Sequence, residues 1–223
     1  MLSVLYEDDA TWIYDKPSDV SILRDRSGQA CLWDELTSYA TKPYLVHRLD
    51  KGTSECFVIA KTQQAQSSLT RAFAARSLSK SYVAAVVGRF ASGFTRTVDL
   101  PICRGRKSRY RIAGLRDSIE CVNNTYRVQQ DRDGLEATPL VRFLVSGPRS
   151  MLAIKPITGR THQIRVHLSW IGHAIGGDHL YGNKNHEAQK GARLMLHCHK
   201  LVIPGFGRFT SPVPKDFATS FGQ

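Results

Sequence analysis

A chain of 223 residues with 42% apolar composition is long enough to bury one sizeable core, or two small lobes around a cleft, and a single compact domain over residues 1–223 is expected. Its 31 Lys and Arg against 19 Asp and Glu give a formal charge of +12, which attracts polyanions and puts nucleic acid first among partners. No apolar run approaches bilayer length, and the start MLSVLYEDDATW has neither the basic flank nor the apolar core of a signal peptide. A membrane partner is therefore not expected, and a cytoplasmic protein is.

Along the chain, Val4 to Glu7 and Thr11 to Asp15 read as two short strands joined by an acidic turn and stopped at Lys16-Pro17. Cys31 to Tyr39 reads as a helix. After Pro43 comes an extended segment ending in His47-Arg48-Leu49-Asp50, then the strand Cys56 to Ala60. Gln63 to Arg76 places Leu69, Ala72, Phe73 and Arg76 at helical spacings. Lys80 to Val87 returns to strand character. Arg104 to Arg116 carries six basic residues and no acid, Arg104, Arg106, Lys107, Arg109, Arg111 and Arg116. The plain alternative is an exposed loop; phosphate contact is favoured because Tyr110 sits among the charges and can stack on a base. Strands are expected over Asn124 to Gln129, Leu140 to Val145 and Met151 to Lys155. Thr161 to Ile171 reads as a helix with Ile164, Leu168 and Ile171 on one stripe and Gly172 at its end. GHAIGGDHLYG is a glycine-rich bend, and Leu194 to Ile203 is a closing strand. Hairpin-connected strands with few helices predict an α+β protein rather than a doubly wound one.

Five cysteines, Cys31, Cys56, Cys103, Cys121 and Cys198, form an odd set without close pairing, as reduced and mostly buried thiols do. His197-Cys198-His199 puts two histidines on one strand face, yet no second ligand pair at zinc spacing accompanies them, so no metal is expected. Phosphate-loop, dinucleotide and serine-hydrolase signatures are missing from the sequence.

Two strings carry the chemistry. In HRLDKGTS, residues 47 to 54, the Asp50 carboxylate sits in a turn among positive charges, which keep it ionised and available as a nucleophile or base. Taken alone, an Arg-x-Asp string is more often a surface pair. TGRTHQIRVHL, residues 158 to 168, crowds donors onto a helix start, where a phosphate or carboxylate is the natural occupant. There His162 and Arg165 are three apart and face neighbouring directions. In KSYVAAVVG, residues 80 to 88, Tyr82 stands alone among small and aliphatic neighbours, and a core tyrosine is its default reading.

In order, Asp15-Lys16-Pro17, HRLDKGTS, KSYVAAVVG, TGRTHQIRVHL and GHAIGGDHLYG resemble the RluA family of RNA pseudouridine synthases, and LMLHCHKL (194 to 201) and SPVPKDF (211 to 217) continue the likeness. The resemblance implies a pseudouridine synthase fold, a mixed and largely antiparallel sheet split around a central catalytic cleft with a few flanking helices. It implies no cofactor. It makes Asp50 the essential carboxylate, Tyr82 the active-site tyrosine and Arg165 the arginine that pairs with the aspartate. Arg48 then fills the space left by the flipped nucleotide. RNA contact is expected from Arg48, His47, Arg160, His162, Arg106, Lys107 and Arg109. The implied reaction breaks the N1–C1′ bond of a uridine, turns the base and joins C5 to C1′. The implied substrate is a stem-loop of tRNA or large-subunit rRNA. The chain starts on the catalytic pattern, so a short form without an N-terminal S4-type RNA-binding domain is expected, a monomer with no obligate protein partner.

Two departures stand out. Glu55 occupies the place where relatives usually have Gly, adding a negative charge that raises a neighbouring carboxyl's pKa or deters phosphate. Ser18-Asp19-Val20-Ser21 replaces a glycine-containing stretch. Two rival readings follow: an RNA-binding module that has lost turnover, motivated by Glu55, and a glycoside hydrolase, which requires a second acid beside Asp50.

Overall fold

The computed structural model describes residues 3–24, 28–38, 42–47, 50–75, 77–89, 95–106, 109–145, 149–182 and 193–219. Numbered along the chain, the elements are β1 (Ser3–Glu7), β2 (Thr11–Lys16), α1 (Leu32–Leu36), β3 (Tyr44–Leu45), β4 (Ser54–Ala60), α2 (Gln63–Ala74) and β5 (Ser79–Val87). There follow β6 (Thr95–Val98), β7 (Ile102–Arg104), β8 (Tyr110–Ile112), β9 (Gly114–Val122), β10 (Thr125–Gln130), β11 (Pro139–Val145) and β12 (Arg149–Pro156). The chain closes with α3 (Gln163–Trp170), β13 (Leu196–Ile203), β14 (Gly207–Thr210) and α4 (Lys215–Thr219). They form two compact units, Met1–Lys80 with His197–Val213, and Ser81–Leu196 with Pro214–Gln223. Most strand pairs are antiparallel; β4 with β13 and β6 with β10 are parallel. The α+β class with its mixed sheet and few helices is as the sequence indicated.

In the first unit the strand order is β1-β2-β4-β13, with β3 on β4 and β14 on β13. Period-two alternation sorts the apolar residues of β4 to both faces. Cys56, Val58 and Ala60 pack with Ile13 and with Ala65 and Leu69 of α2, while Phe57 and Ile59 pack with Trp12, Tyr14 and with Leu32 and Leu36 of α1. Both faces are covered, so every residue of β4 is buried. Thr62 caps α2, its Oγ1 accepting the Ala65 N–H at 3.1 Å. Helix α1 is shorter than expected because the Thr37 and Ser38 hydroxyls bond back to the Trp33 and Glu35 carbonyls at 2.8 and 2.6 Å, a local alternative to further helix. Tyr39 and Arg76, expected to end the two helices, lie outside the described residues.

In the second unit the order is β5-β12-β11-β6-β10-β9, and β7 pairs with β8 as a separate two-stranded sheet. The basic region from Arg104 to Arg116 therefore takes in β8 and the start of β9 and is not one continuous loop. Strands β9 and β10 meet through Asn123-Asn124, both with positive φ (48° and 61°), the backbone that a two-residue hairpin turn requires. Helix α3 is buried all round from Gln163 to Leu168 rather than on one stripe. It ends at Gly172 (φ 91°), where the His173 N–H bonds the Leu168 carbonyl at 2.8 Å and the Gly172 N–H bonds Ser169 at 3.3 Å, a glycine-dependent stop. No helix among the described residues is long and apolar enough to cross a membrane.

Candidate active site

In the first unit, Asp50 opens a turn closed by the Thr53 N–H on the Asp50 carbonyl at 3.2 Å, and its side chain is half-buried. The turn is anchored by a residue that spacing alone did not mark. Lys16 is fully buried, and its Nζ donates to the carbonyls of Pro17 at 2.8 Å, Val20 at 3.1 Å and Lys51 at 3.2 Å. One ammonium thus ties the segment after β2 to the residue next to Asp50. Burial pushes the Lys16 amine down to about 8, against the pull of the Glu55, Asp19 and Asp50 carboxylates. Its signal was the Asp-Lys-Pro string, but a lysine is read as exposed by default.

Glu55 is 3% exposed, faces Lys16 across the β2–β4 pair and binds Lys80 at 2.9 Å. Two lysines thus answer the added negative charge, which removes the motive for a lost activity. The same ion pair ties up the acid that a glycosidase reading needed. In the second departure, Asp19 adopts φ 63°, the left-handed conformation that suits glycine and, next to it, Asp or Asn.

Behind the turn runs a polar chain. Ser54 Oγ lies 3.0 Å from His197 Nδ1, His197 Nε2 lies 3.3 Å from the Ser211 hydroxyl, and that hydroxyl donates to Asp15 Oδ1 at 2.6 Å. His199 Nδ1 also meets the Ser211 carbonyl, at 2.7 Å, so the two histidines do share a face. His47 stacks on Phe73 at 4.2 Å and 11° and accepts the Val58 N–H at 3.4 Å; its ring braces the segment before Asp50. Arg48 and Lys107 lie outside the described residues.

In the second unit, Tyr82 sits half-buried on β5 opposite Ile154, where the strand passes from half-exposed to buried positions. Arg165 is 7% exposed, and its Nε and Nη2 grip Asp178 Oδ2 and Oδ1, each at 2.8 Å. A planar guanidinium held at two points is fixed in orientation. Asp178 in turn accepts the Leu180 and Tyr181 N–H groups, both at 3.0 Å. Asp178, missed in the sequence, comes from the glycine-rich bend. The N-cap of α3 is His162, with φ 55° and no side-chain cap; the Gln163 side-chain Oε1 instead accepts the Arg160 N–H at 2.9 Å and the Thr158 hydroxyl at 2.8 Å. Arg160 Nε reaches the Glu136 carbonyl at 3.1 Å. His162 and Arg165 both meet Tyr181, although His162 is the left-handed N-cap and lies outside the helix on which the spacing put it: His162 Nδ1 is 2.8 Å from the Tyr181 hydroxyl and Arg165 Cζ 5.3 Å from its ring centre.

On the hairpin, Arg106 and Arg109 are exposed and the Gly105 N–H closes the loop onto the Arg109 carbonyl at 2.8 Å. Tyr110 is half-buried and meets His162 edge-on at 6.0 Å, so its ring packs inward. Arg111 and Arg116 lie 5.5 and 5.3 Å from the Trp170 ring centre, close enough for cation–π attraction.

Residues 10–170 match the family model described as RNA pseudouridylate synthase. The chain is 34% identical to ribosomal large subunit pseudouridine synthase D of Xanthomonas campestris, over 96% of this chain and 67% of that one. It is 31% identical to the dual-specificity RNA pseudouridine synthase RluA of Escherichia coli K12, over 97% of this chain and 94% of the relative. The solved structure of human RNA pseudouridylate synthase domain containing 1 superposes with a TM-score of 0.80 at 27% identity, covering 99% of this chain and 86% of that one. The chain belongs to the RNA pseudouridylate synthase family, of RluA type, and is an isomerase of uridine in RNA.

Proposed function

We propose that Asp50 supplies the carboxylate of this isomerisation, attacking C1′ or taking the C2′ proton of an extruded uridine, with Tyr82 removing the C5 proton after the base has turned. Breaking N1–C1′ and C5–H and making C5–C1′ and N1–H moves one proton from C5 to N1 and leaves the atom count unchanged, so one carboxylate and one base suffice without a cofactor. Arg165 orients the carboxylate, and Arg48 fills the space vacated by the nucleotide. On this reading the two units form one catalytic domain, and Asp50, Tyr82 and Arg165 serve one reaction.

The observation that carries the assignment is the setting of Asp50: a short turn at the start of a wholly buried strand, its neighbour Lys51 held by the buried Lys16 ammonium at 3.2 Å. Such anchoring fixes a carboxylate in place while leaving it half-exposed to a substrate. The bidentate grip on Arg165 supports the second role in the same way.

A stem-loop of tRNA or large-subunit rRNA is the substrate class, bound by a cytoplasmic monomer without an obligate protein partner. Arg106, Lys107 and Arg109 of the hairpin, together with Arg160, hold its phosphates. His47 and His162, each braced by aromatic neighbours, add contacts to the RNA. The test is tritium release from C5-labelled uridine in bulk cellular RNA. Release by the native chain and its loss in Asp50→Ala is the expected result; binding without release by the native chain, or release of free uracil, would overturn the assignment.

A further inference from the structure

Besides Gly172 and Asp178, the bend GHAIGGDHLYG supplies Tyr181. The Tyr181 backbone is fixed on both sides: its N–H bonds Asp178 Oδ1 at 3.0 Å, and its carbonyl accepts the Ser169 hydroxyl of α3 at 2.6 Å. The ring lies under the Arg165 guanidinium. The hydroxyl accepts the Tyr110 N–H of β8 at 3.0 Å and shares a hydrogen bond with His162 Nδ1 at 2.8 Å. A tyrosine ordinarily satisfies its hydroxyl on one nearby group, and Tyr181 is half-buried. This one joins a strand of the basic hairpin, the first turn of α3 and the guanidinium face through a single side chain. Its partners Tyr110 and His162 stand 71 and 19 residues away in sequence.

We propose that Tyr181 is a positioning residue that ties the β7–β8 hairpin to Arg165, so that RNA held by the hairpin steadies the guanidinium where the reaction needs it. The inference rests on the role given to Arg165 above. Contact with phosphate at Arg106 and Arg109 pulls on a short hairpin whose β8 backbone is bonded to the Tyr181 hydroxyl. Displacement of that hydroxyl moves the ring against which Arg165 lies, because Asp178 and Ser169 pin the rest of the residue. Substrate grip and arginine placement are then one coupled equilibrium.

Tyr181→Phe tests this, since it keeps the ring under Arg165 and removes the hydroxyl that meets Tyr110 and His162. Tritium release from C5-labelled uridine is measured on one structured RNA for the native chain, Arg109→Ala, Tyr181→Phe and the double variant. Arg109→Ala is expected to raise KM and also to lower kcat several-fold in the native background. In the Tyr181→Phe background, whose own kcat is down by about tenfold, the further loss in kcat should vanish while the rise in KM persists, the non-additivity expected of coupled residues. Additive effects on kcat, or no effect of Arg109→Ala on kcat, would overturn the link, because a merely structural tyrosine moves stability and not this coupling. Amide exchange at Tyr110 provides a readout independent of turnover: it should accelerate by about tenfold or more in Tyr181→Phe as its acceptor is lost, and an unchanged rate would also overturn the link. A native chain that releases no tritium refutes the catalytic reading itself, whereas release with additive variants refutes the coupling alone.

Discussion

Removing the carboxylate of Asp178 should be among the most damaging single changes to the second unit. Asp178 is 1% exposed, its two oxygens take Nε and Nη2 of Arg165 at 2.8 Å, and one of them also accepts the Leu180 and Tyr181 N–H groups at 3.0 Å. Breaking a buried pair from one side leaves an uncompensated charge and costs about 3–5 kcal/mol. The two backbone donors add about 1 kcal/mol each if they find no new acceptor. Asp178→Ala should therefore lose roughly 5 kcal/mol, a large share of the ~5–15 kcal/mol that holds an ordinary domain folded. Urea unfolding followed by far-ultraviolet circular dichroism and by tryptophan fluorescence measures it, and coincidence of the two curves checks that one transition is being read. A second arm replaces both partners: Arg165→Met with Asp178→Leu should be less destabilised than the sum of the single changes, because no charge remains buried alone. A loss below about 1 kcal/mol for Asp178→Ala is what a solvated surface pair gives, and would refute the buried clamp.

Lys16→Met should cost about 3 kcal/mol, since three carbonyls lose the ammonium that binds them, and should lower kcat more than it raises KM; an unchanged urea midpoint would show those carbonyls satisfied without it. His167 is fully buried with Nε2 on the Leu100 carbonyl at 2.8 Å, so Nε2 carries the proton and Nδ1 is a bare lone pair with no partner among the described residues. Burial pulls its pKa down to about 4. The unfolded chain, titrating near the ordinary 6.5, binds the proton first as pH falls, so the stability due to the neutral ring is complete above that value and is lost towards pH 4. The loss is about 3 kcal/mol at 1.36 kcal/mol per unit, and His167→Gln should flatten this part of the stability curve in urea melts from pH 7 to 4; an equally steep curve in the variant would assign the dependence elsewhere. Replacing Arg106, Lys107 and Arg109 with Ala should weaken RNA binding and reduce the slope of log affinity against log salt by about 0.7–0.9 for each phosphate no longer neutralised; an unchanged slope would mean that these side chains do not touch phosphate.

The parts of the fold that announced themselves in sequence are those marked by an unbroken apolar run or by an apolar stripe at helical spacing. Strand β4 was legible through the run Cys56 to Ala60, buried at every position, and helix α2 through Leu69, Ala72 and Phe73, which pack in one core cluster. The hairpin β7–β8 was not: its strands have three residues each, and Arg104 and Arg111 sit among its apolar positions. Strand β9 lies at the edge of its sheet with most residues exposed, so no alternation marks it; the Asn123-Asn124 turn that leads out of it was not legible either, because its second residue reads as the start of the next strand. The proposed site divided similarly. Asp50, Tyr82 and Arg165 were singled out by long motifs in one order, while Lys16, Asp178 and Tyr181 were not. The contacts of the latter three depend on where loops bring carbonyls, a guanidinium and a backbone N–H, and spacing does not encode those meetings.

The central claim is that a carboxylate at position 50, and not merely a side chain of its shape, drives the isomerisation. Asp50→Asn preserves size and hydrogen-bonding reach but carries no charge, so single-turnover tritium release on a saturating structured RNA, with RNA affinity measured alongside, separates chemistry from binding. Affinity should stay within a few-fold of native while release falls by about a thousandfold or more, as for loss of a nucleophile or base. Release within about tenfold of native, at full RNA occupancy, would contradict the account.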